Sequence, residues 1–265
     1  MPKHAIQIIP ADATGQISAN DRSFNYGDAV FTTIAVRAGV AQLWPLHLAR
    51  LQCSVRQLGF AEPDWLALEQ AVNSLVTAAD NVIKVVISRG LGGRGYSPDP
   101  SMRSQVYISQ AHMPDYQQWK QQGVRLKLAE LRLSVQPRLA GLKHNNRLEQ
   151  VLLKQELALA DTDELLVADQ QGFITEATAS NVFIYWQGRW QTPMLDRAGV
   201  AGVMRQQLLT CRPEIVQADC PLSALPEIEA MVLTNALMQA VPVRELAGRP
   251  LNLVLARQLQ HGLLC

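Results

Sequence analysis

The run AVFTTIAVRAGVAQLW, residues 29–44, constrains the fold more than any other stretch of this chain. It holds two β-rich runs around Ala38-Gly39 and reads as a hairpin. Strands arranged as hairpins favour a mixed or antiparallel sheet over a doubly wound parallel one. A helix follows at once: Pro45 suits a first turn, and Leu48, Leu51, Val55 and Leu58 recur at helical spacing.

The rest of the chain repeats this alternation. A strand-like run at His4–Ile9 precedes the hairpin, and a second helix is expected from Pro63 to Ala79. VIKVVISRG and RSQVYISQA read as strands flanking the glycine-rich loop RGLGGRGYSPDP. The polar, aromatic segment MPDYQQWKQQ reads as a linker. Beyond it come a strand at Val124–Leu128, a helix after Lys143 and strands at Glu164–Ala168 and Asn181–Trp186. Turns are expected at Gln171-Gly172 and Gln187-Gly188, a helix from near Gly202, and a late strand and turn in EAMVLTNALMQAVPV. The expected class is α+β, with mainly antiparallel or mixed sheets and flanking helices in two domains. The boundaries are 1–112 for an N-terminal domain, 113–122 for the linker and 123–265 for a C-terminal domain.

Composition narrows the function. Charged residues are 18% of the chain and the net charge is +1, so no broad basic field is available for nucleic acid, and a small-molecule partner is expected. No apolar run reaches the length of a membrane span, and the first residues lack the pattern of a secretory signal. Cys53, Cys211, Cys220 and Cys265 are scattered without a C-x-x-C pair, which argues against a disulfide framework and a zinc site. A cytoplasmic protein without metal is the expectation.

Four local features carry possible chemistry, and each has a bland alternative. Asn146 and Glu149 have the spacing of a capping box, which starts a helix at Asn146. Lys143 then lies just outside the positive end of that helix, a setting that lowers a lysine pKa and suits a nucleophile; an exposed loop lysine is the alternative. In AGVAGVMRQQLL, Gly199 and Gly202 precede a helix whose first residues, Val203 and Met204, leave backbone N–H groups open to an anion, although close packing explains two glycines equally well. Arg50, one turn beyond His47, sits among leucines and calls for an anion or a structural carboxylate. Glu176, near the end of a short strand, calls for a donor.

The order and spacing of these features resemble one family. DRSFNYGDAVFTT, HLARL, SRGLGGRGY, LKHNNRLEQ, ITEATASNVF, AGVMR and TNALMQAVPV together resemble the fold type IV pyridoxal phosphate enzymes. That superfamily includes branched-chain aminotransferases, D-amino acid aminotransferases and aminodeoxychorismate lyases, and FTT, SRGLGGRGY and GLKHNNRLEQVLL are similar to the lyase branch. The resemblance implies conversion of 4-amino-4-deoxychorismate to 4-aminobenzoate and pyruvate, a step of folate biosynthesis.

Carried over by position, the resemblance implies that Lys143 holds pyridoxal 5'-phosphate and acts as base. It likewise implies that Arg50 binds the phosphate, that Glu176 faces the pyridine nitrogen, and that Val203 and Met204 offer backbone N–H groups. The late-turn hydroxyl of the aminotransferases has no counterpart at Leu237, so a backbone group or Asn235 takes its place. Thr33 matches a threonine implicated in the lyase chemistry, and Thr32 stands where the aminotransferases carry Glu. Arg94 and Tyr96 are implied at the substrate carboxylate, with Tyr26 and Arg147 as further substrate contacts. The family implies a homodimer with its site between the domains. Two other readings compete: a D-amino acid or branched-chain aminotransferase, and a cofactor-free binding protein on the same fold.

Overall fold

The computed structural model describes residues 6–9 and 15–262. His4, Ala5, Pro10 and Cys265 of the sequence reading lie outside them. The chain divides into two compact units, Met1–Pro114 with Lys143–Asn146, and Asp115–Leu142 with Arg147–Cys265.

The first unit runs β1 (Ile6–Ile9), α1 (Arg22–Tyr26), β2 (Ala29–Arg37), β3 (Val40–Ala41), α2 (Trp44–Leu58), α3 (Trp65–Ser74), β4 (Asn81–Ser88) and β5 (Gln105–His112). Its five-stranded sheet has the order β1-β5-β4-β2-β3, antiparallel throughout except for the parallel β1–β5 pair. The expected hairpin is present: Arg37 pairs with Val40, and Ala38 and Gly39 turn with φ of 47° and 74°. Positive φ at both central residues twists a two-residue turn to match its strands. Along β2, Val30, Ile34 and Val36 pack into one core with Leu51 and Val55 of α2 and Leu68 and Val72 of α3. Each such side chain contributes about 1.5–3 kcal/mol on burial. Helix α2 stops at Gly59, whose φ of 66° suits a residue without Cβ.

Helix α3 is shorter than the expected 63–79. The alanines that prolong its pattern give way to a polar bend, in which Thr77 Oγ1 donates to the Ala79 carbonyl and Asn81 Nδ2 donates to Thr77 Oγ1. Those local bonds compete with a further helical turn.

The second unit runs α4 (Gln117–Gln122), β6 (Val124–Leu128), α5 (Leu148–Leu159), β7 (Glu164–Ala168), β8 (Ile174–Ala177), β9 (Asn181–Trp186), β10 (Arg189–Thr192), α6 (Val203–Cys211), β11 (Val216–Gln217), β12 (Ala230–Asn235), β13 (Gln239–Leu246), β14 (Arg249–Pro250) and α7 (Leu253–His261). Most of the segment read as linker is therefore the helix α4. The nine-stranded sheet has the order β11-β10-β9-β12-β13-β6-β7-β8, with β14 beside β13. It mixes antiparallel pairs with parallel ones at β10–β11, β13–β6 and β6–β7. Leu126, Leu166, Val182, Ile184, Leu233 and Val241 form its main core.

Two sequence expectations need correction. Helix α5 begins at Leu148, not Asn146, and its N-cap residue, Arg147, makes no side-chain cap bond. Asn146 is drawn to Gly27 instead, where its Nδ2 donates to the carbonyl at 3.3 Å, and Glu149 accepts the Ser134 N–H. Tertiary partners thus take both halves of the supposed capping box. Four residues separate Lys143 from Leu148, so the lysine lies beyond the reach of the helix-end field, which fades within one turn. Cys211 is disulfide-bonded, whereas Cys53 and Cys220 are free thiols.

Candidate active site

The short segment 143–146 lies against the start of β2. The Phe31 N–H donates to the Lys143 carbonyl at 2.8 Å, the Asn145 N–H donates to the Ala29 carbonyl at 2.9 Å, and His144 bridges Val30 in antiparallel sense. This backbone pairing fixes where the lysine side chain begins. Its Nζ stands 4.6 Å from the centre of the Phe31 ring, and the Nζ of Lys84 stands 5.0 Å from the same centre. Lys84 pairs in register with Thr33 across β2 and β4. One aromatic ring thus faces two cations, a contact that stabilises each modestly.

On β2 the neighbouring Thr32 is fully buried and meets two residues of α2. Arg50 Nη2 donates to Thr32 Oγ1, and that oxygen lies 2.6 Å from His47 Nδ1. Arg50 Nε is buried and has no hydrogen-bond partner among the described residues. Burial pushes the guanidinium pKa down to about 10. The imidazole of His47 is held well below its ordinary value, by burial first and then by the charges of Arg50 and Lys143. An arginine served by a hydroxyl, with a buried N–H left over, is chemically suited to an anion.

The glycine-rich loop after β4 carries Arg94 and Tyr96, and both are exposed. It is tied to α1. Arg22 donates through Nη1 to the Gly95 carbonyl at 3.1 Å, through Nη2 to the Tyr96 carbonyl at 2.9 Å, and through Nε to Asp28 at 2.7 Å. Tyr26 accepts the Gly95 N–H at 3.0 Å and packs edge-on against Tyr96. Asp28 also takes Arg89, and Asp21 caps α1 while accepting from Ser88 and Tyr107.

In the second unit, Glu176 Oε2 accepts the Val200 N–H at 2.9 Å. Gly199 has φ of 84°, and a Cβ there would lie 2.7 Å from Thr175 Cγ2 and 3.3 Å from Glu176 Oε2, so glycine is required on both counts. Gly202 is the N-cap of α6 and provides no side-chain cap for the N–H groups of Val203 and Met204, a helix start of the kind that suits an anion. A Cβ on Gly202 would meet Asn181 Oδ1 at 2.1 Å, and Asn181 Nδ2 meanwhile holds the Val200 carbonyl at 2.7 Å. Ser180 Oγ and Thr234 Oγ1 are buried without a hydrogen-bond partner among the described residues.

Two expected contacts receive other work. Asn235 spends its Oδ1 on the N–H groups of Leu237 and Met238, at 2.9 and 2.8 Å, and donates through Nδ2 to the Ala179 carbonyl, so it shapes the late turn. Arg147 Nη2 donates to the Leu142 carbonyl at 3.0 Å; burial lowers its pKa, and Glu176 and Glu149 act against that. Neither local pattern nor the family motifs single out His47, Lys84, Asn181 or Arg22 as site residues. Lys84 comes nearest to a signal, a charge inside the otherwise apolar run VIKVVIS, whereas the partners of the other three are far away in sequence.

Comparison with known proteins places this arrangement. The fold superposes on a solved 4-amino-4-deoxychorismate lyase from Pseudomonas aeruginosa with a TM-score of 0.89 and 37% identity, covering 94% of this chain and 95% of that one. Over 259 residues the sequence is 36% identical to an aminodeoxychorismate lyase of Vibrio harveyi, covering 93% of this chain and 95% of the relative. It is 27% identical to a putative branched-chain-amino-acid aminotransferase of Methanocaldococcus jannaschii, covering 89% and 85%. The amino-transferase class IV profile matches residues 29–246, and the chain belongs to that family.

Proposed function

We propose that this protein is a pyridoxal-phosphate-dependent carbon–oxygen lyase that converts 4-amino-4-deoxychorismate into 4-aminobenzoate and pyruvate. The observation that carries the reading is the likeness to two lyases at 36% and 37% identity over nearly the whole chain, higher than the 27% to the putative aminotransferase.

The residues present fit the cofactor. Arg50, with its buried and unsatisfied Nε, suits the phosphate, as do the open N–H groups of Val203 and Met204. Glu176 is the carboxylate for the pyridine nitrogen, and the Val200 N–H orients it. When bound, pyridoxal phosphate supplies an electron sink for the pair left on the carbon beside the substrate amine.

The chain's own groups do the rest. Lys143 would hold the cofactor covalently and, as a free amine, would take the proton from that carbon. Loss of the adjacent enolpyruvyl oxygen then makes the ring aromatic. Thr33 relays a proton to the departing group, which becomes pyruvate. Arg94 clamps a substrate carboxylate, Tyr96 and Tyr26 build the loop that presents it, and Arg147 supports the backbone beside Lys143. Asn235 holds the late turn, whose backbone would meet the phosphate in place of the missing hydroxyl.

The active form is proposed to be a homodimer in the cytoplasm. Leu148, Val151, Leu152 and Leu159 are exposed along one face of α5, an apolar stripe that a second copy would cover. No described helix is long and apolar enough to cross a membrane.

The test supplies chorismate and an aminodeoxychorismate-forming enzyme, then measures 4-aminobenzoate and pyruvate. Equal amounts of the two are expected from the wild type, and at least a thousandfold less from Lys143→Ala, in line with loss of a catalytic base and nucleophile. Thr33→Val should lower kcat with unchanged cofactor affinity. Rapid turnover of an amino acid with 2-oxoglutarate, and no 4-aminobenzoate, would establish the aminotransferase reading instead.

A further inference from the structure

We propose that Thr32 and His47 are positioning residues that hold the Arg50 guanidinium in place without neutralising its charge; the role rests on reading Arg50 as the phosphate ligand. The direction of the hydrogen bonds carries the argument. Arg50 can only donate, so Thr32 Oγ1 is the acceptor in that pair. Thr32 has one proton to give, and His47 Nδ1 lies 2.6 Å from the same oxygen. The oxygen could also accept from a protonated Nδ1, but the fully buried hydroxyl would then keep a proton with no other acceptor among the described residues; giving that proton to Nδ1 satisfies both groups, places the ring proton on Nε2 and makes His47 neutral.

The chain His47–Thr32–Arg50 is therefore a relay of uncharged acceptors ending on a cation. Thr32 is fully buried and His47 nearly so, and they join strand β2 to helix α2, so the relay is anchored in the first unit's core. Ser54 donates to the Arg50 carbonyl at 2.8 Å and steadies the same turn of α2. A carboxylate at position 32 would pair with the guanidinium and spend part of its charge; a hydroxyl fixes the geometry and leaves the charge and the buried Nε–H for an incoming anion.

The experiment titrates apoprotein with pyridoxal phosphate by absorbance and records the histidine nitrogens by NMR. Arg50→Gln should raise the Kd for the cofactor at least a hundredfold. Thr32→Val and His47→Phe should each raise it roughly tenfold, the effect of losing one well-placed hydrogen bond, while Thr32→Ser stays near wild type. In the wild-type apoprotein, His47 should show an unprotonated Nδ1 and a protonated Nε2. Wild-type affinity in Thr32→Val beside weakened Arg50→Gln would overturn this inference alone, and wild-type affinity in Arg50→Gln would overturn the assignment of Arg50. A protonated Nδ1 would also overturn the inference, and needs no variant to fold.

Discussion

His47 is buried, with Arg50 and Lys143 acting on it, and all three causes hold its imidazole well below the ordinary 6.5. The sign of the consequence follows from proton counting. As pH drops below about 6.5 the unfolded chain takes up a proton at this histidine that the folded chain refuses, so the unfolded state binds more protons. The stability contribution is whole above that pH and declines as pH falls through it, by at most about 1.4 kcal/mol per pH unit for one group. Urea unfolding at pH 7 and pH 5 should show this loss in the wild type and a shallower one in His47→Phe. Equal slopes would mean that other groups carry it. The types of the site residues were legible in the sequence, but their pairings were not: nothing local to FTT says that one threonine will meet an imidazole and a guanidinium from the following helix.

At the scale of elements, the loop of Arg94 and Tyr96 owes its shape to α1. Arg22 is 4% exposed and spends three N–H groups on two loop carbonyls and Asp28. Removing it leaves Asp28 still facing Arg89, so the cost should lie near the lower end of that for breaking a buried ion pair, about 3 kcal/mol. Arg22→Ala should also speed amide exchange at Gly95 and raise KM for the lyase substrate, with cofactor affinity unchanged. If KM and Gly95 exchange stay as in the wild type, the loop keeps its form without the strap. The same scale shows where pattern reading fails. The hairpin at Ala38-Gly39 was readable because turn chemistry is local. The start of α5 was misread because Asn146 satisfies Gly27, 119 residues away, in preference to its own helix.

For the whole molecule, the exposed apolar face of α5 is the feature with the plainest outcome. Leu148, Val151 and Leu152 share one face at helical spacing, and Leu159, 92% exposed, continues it three turns from Leu148. Leu152→Glu places a charge in the middle of that stripe, where burial against a second copy would cost several kcal/mol. Sedimentation should show a dimer for the wild type and a monomer for the variant, with the far-UV circular dichroism spectrum unchanged. A dimer that survives the change would put the interface elsewhere.

By itself the sequence determined the alternation of strands and helices, the hairpin, the mixed character of the sheets and the residue types at the site. These depend on periodicity and turn chemistry, which act over a few neighbouring residues. Only the tertiary structure decided that 143–146 pairs with β2, that Thr32 sits between His47 and Arg50, and that Gly202 must be bare because Asn181 Oδ1 fills the space. Such choices are made by packing and by the cost of leaving buried polar groups unpaired, and those demands join residues that the chain itself keeps far apart.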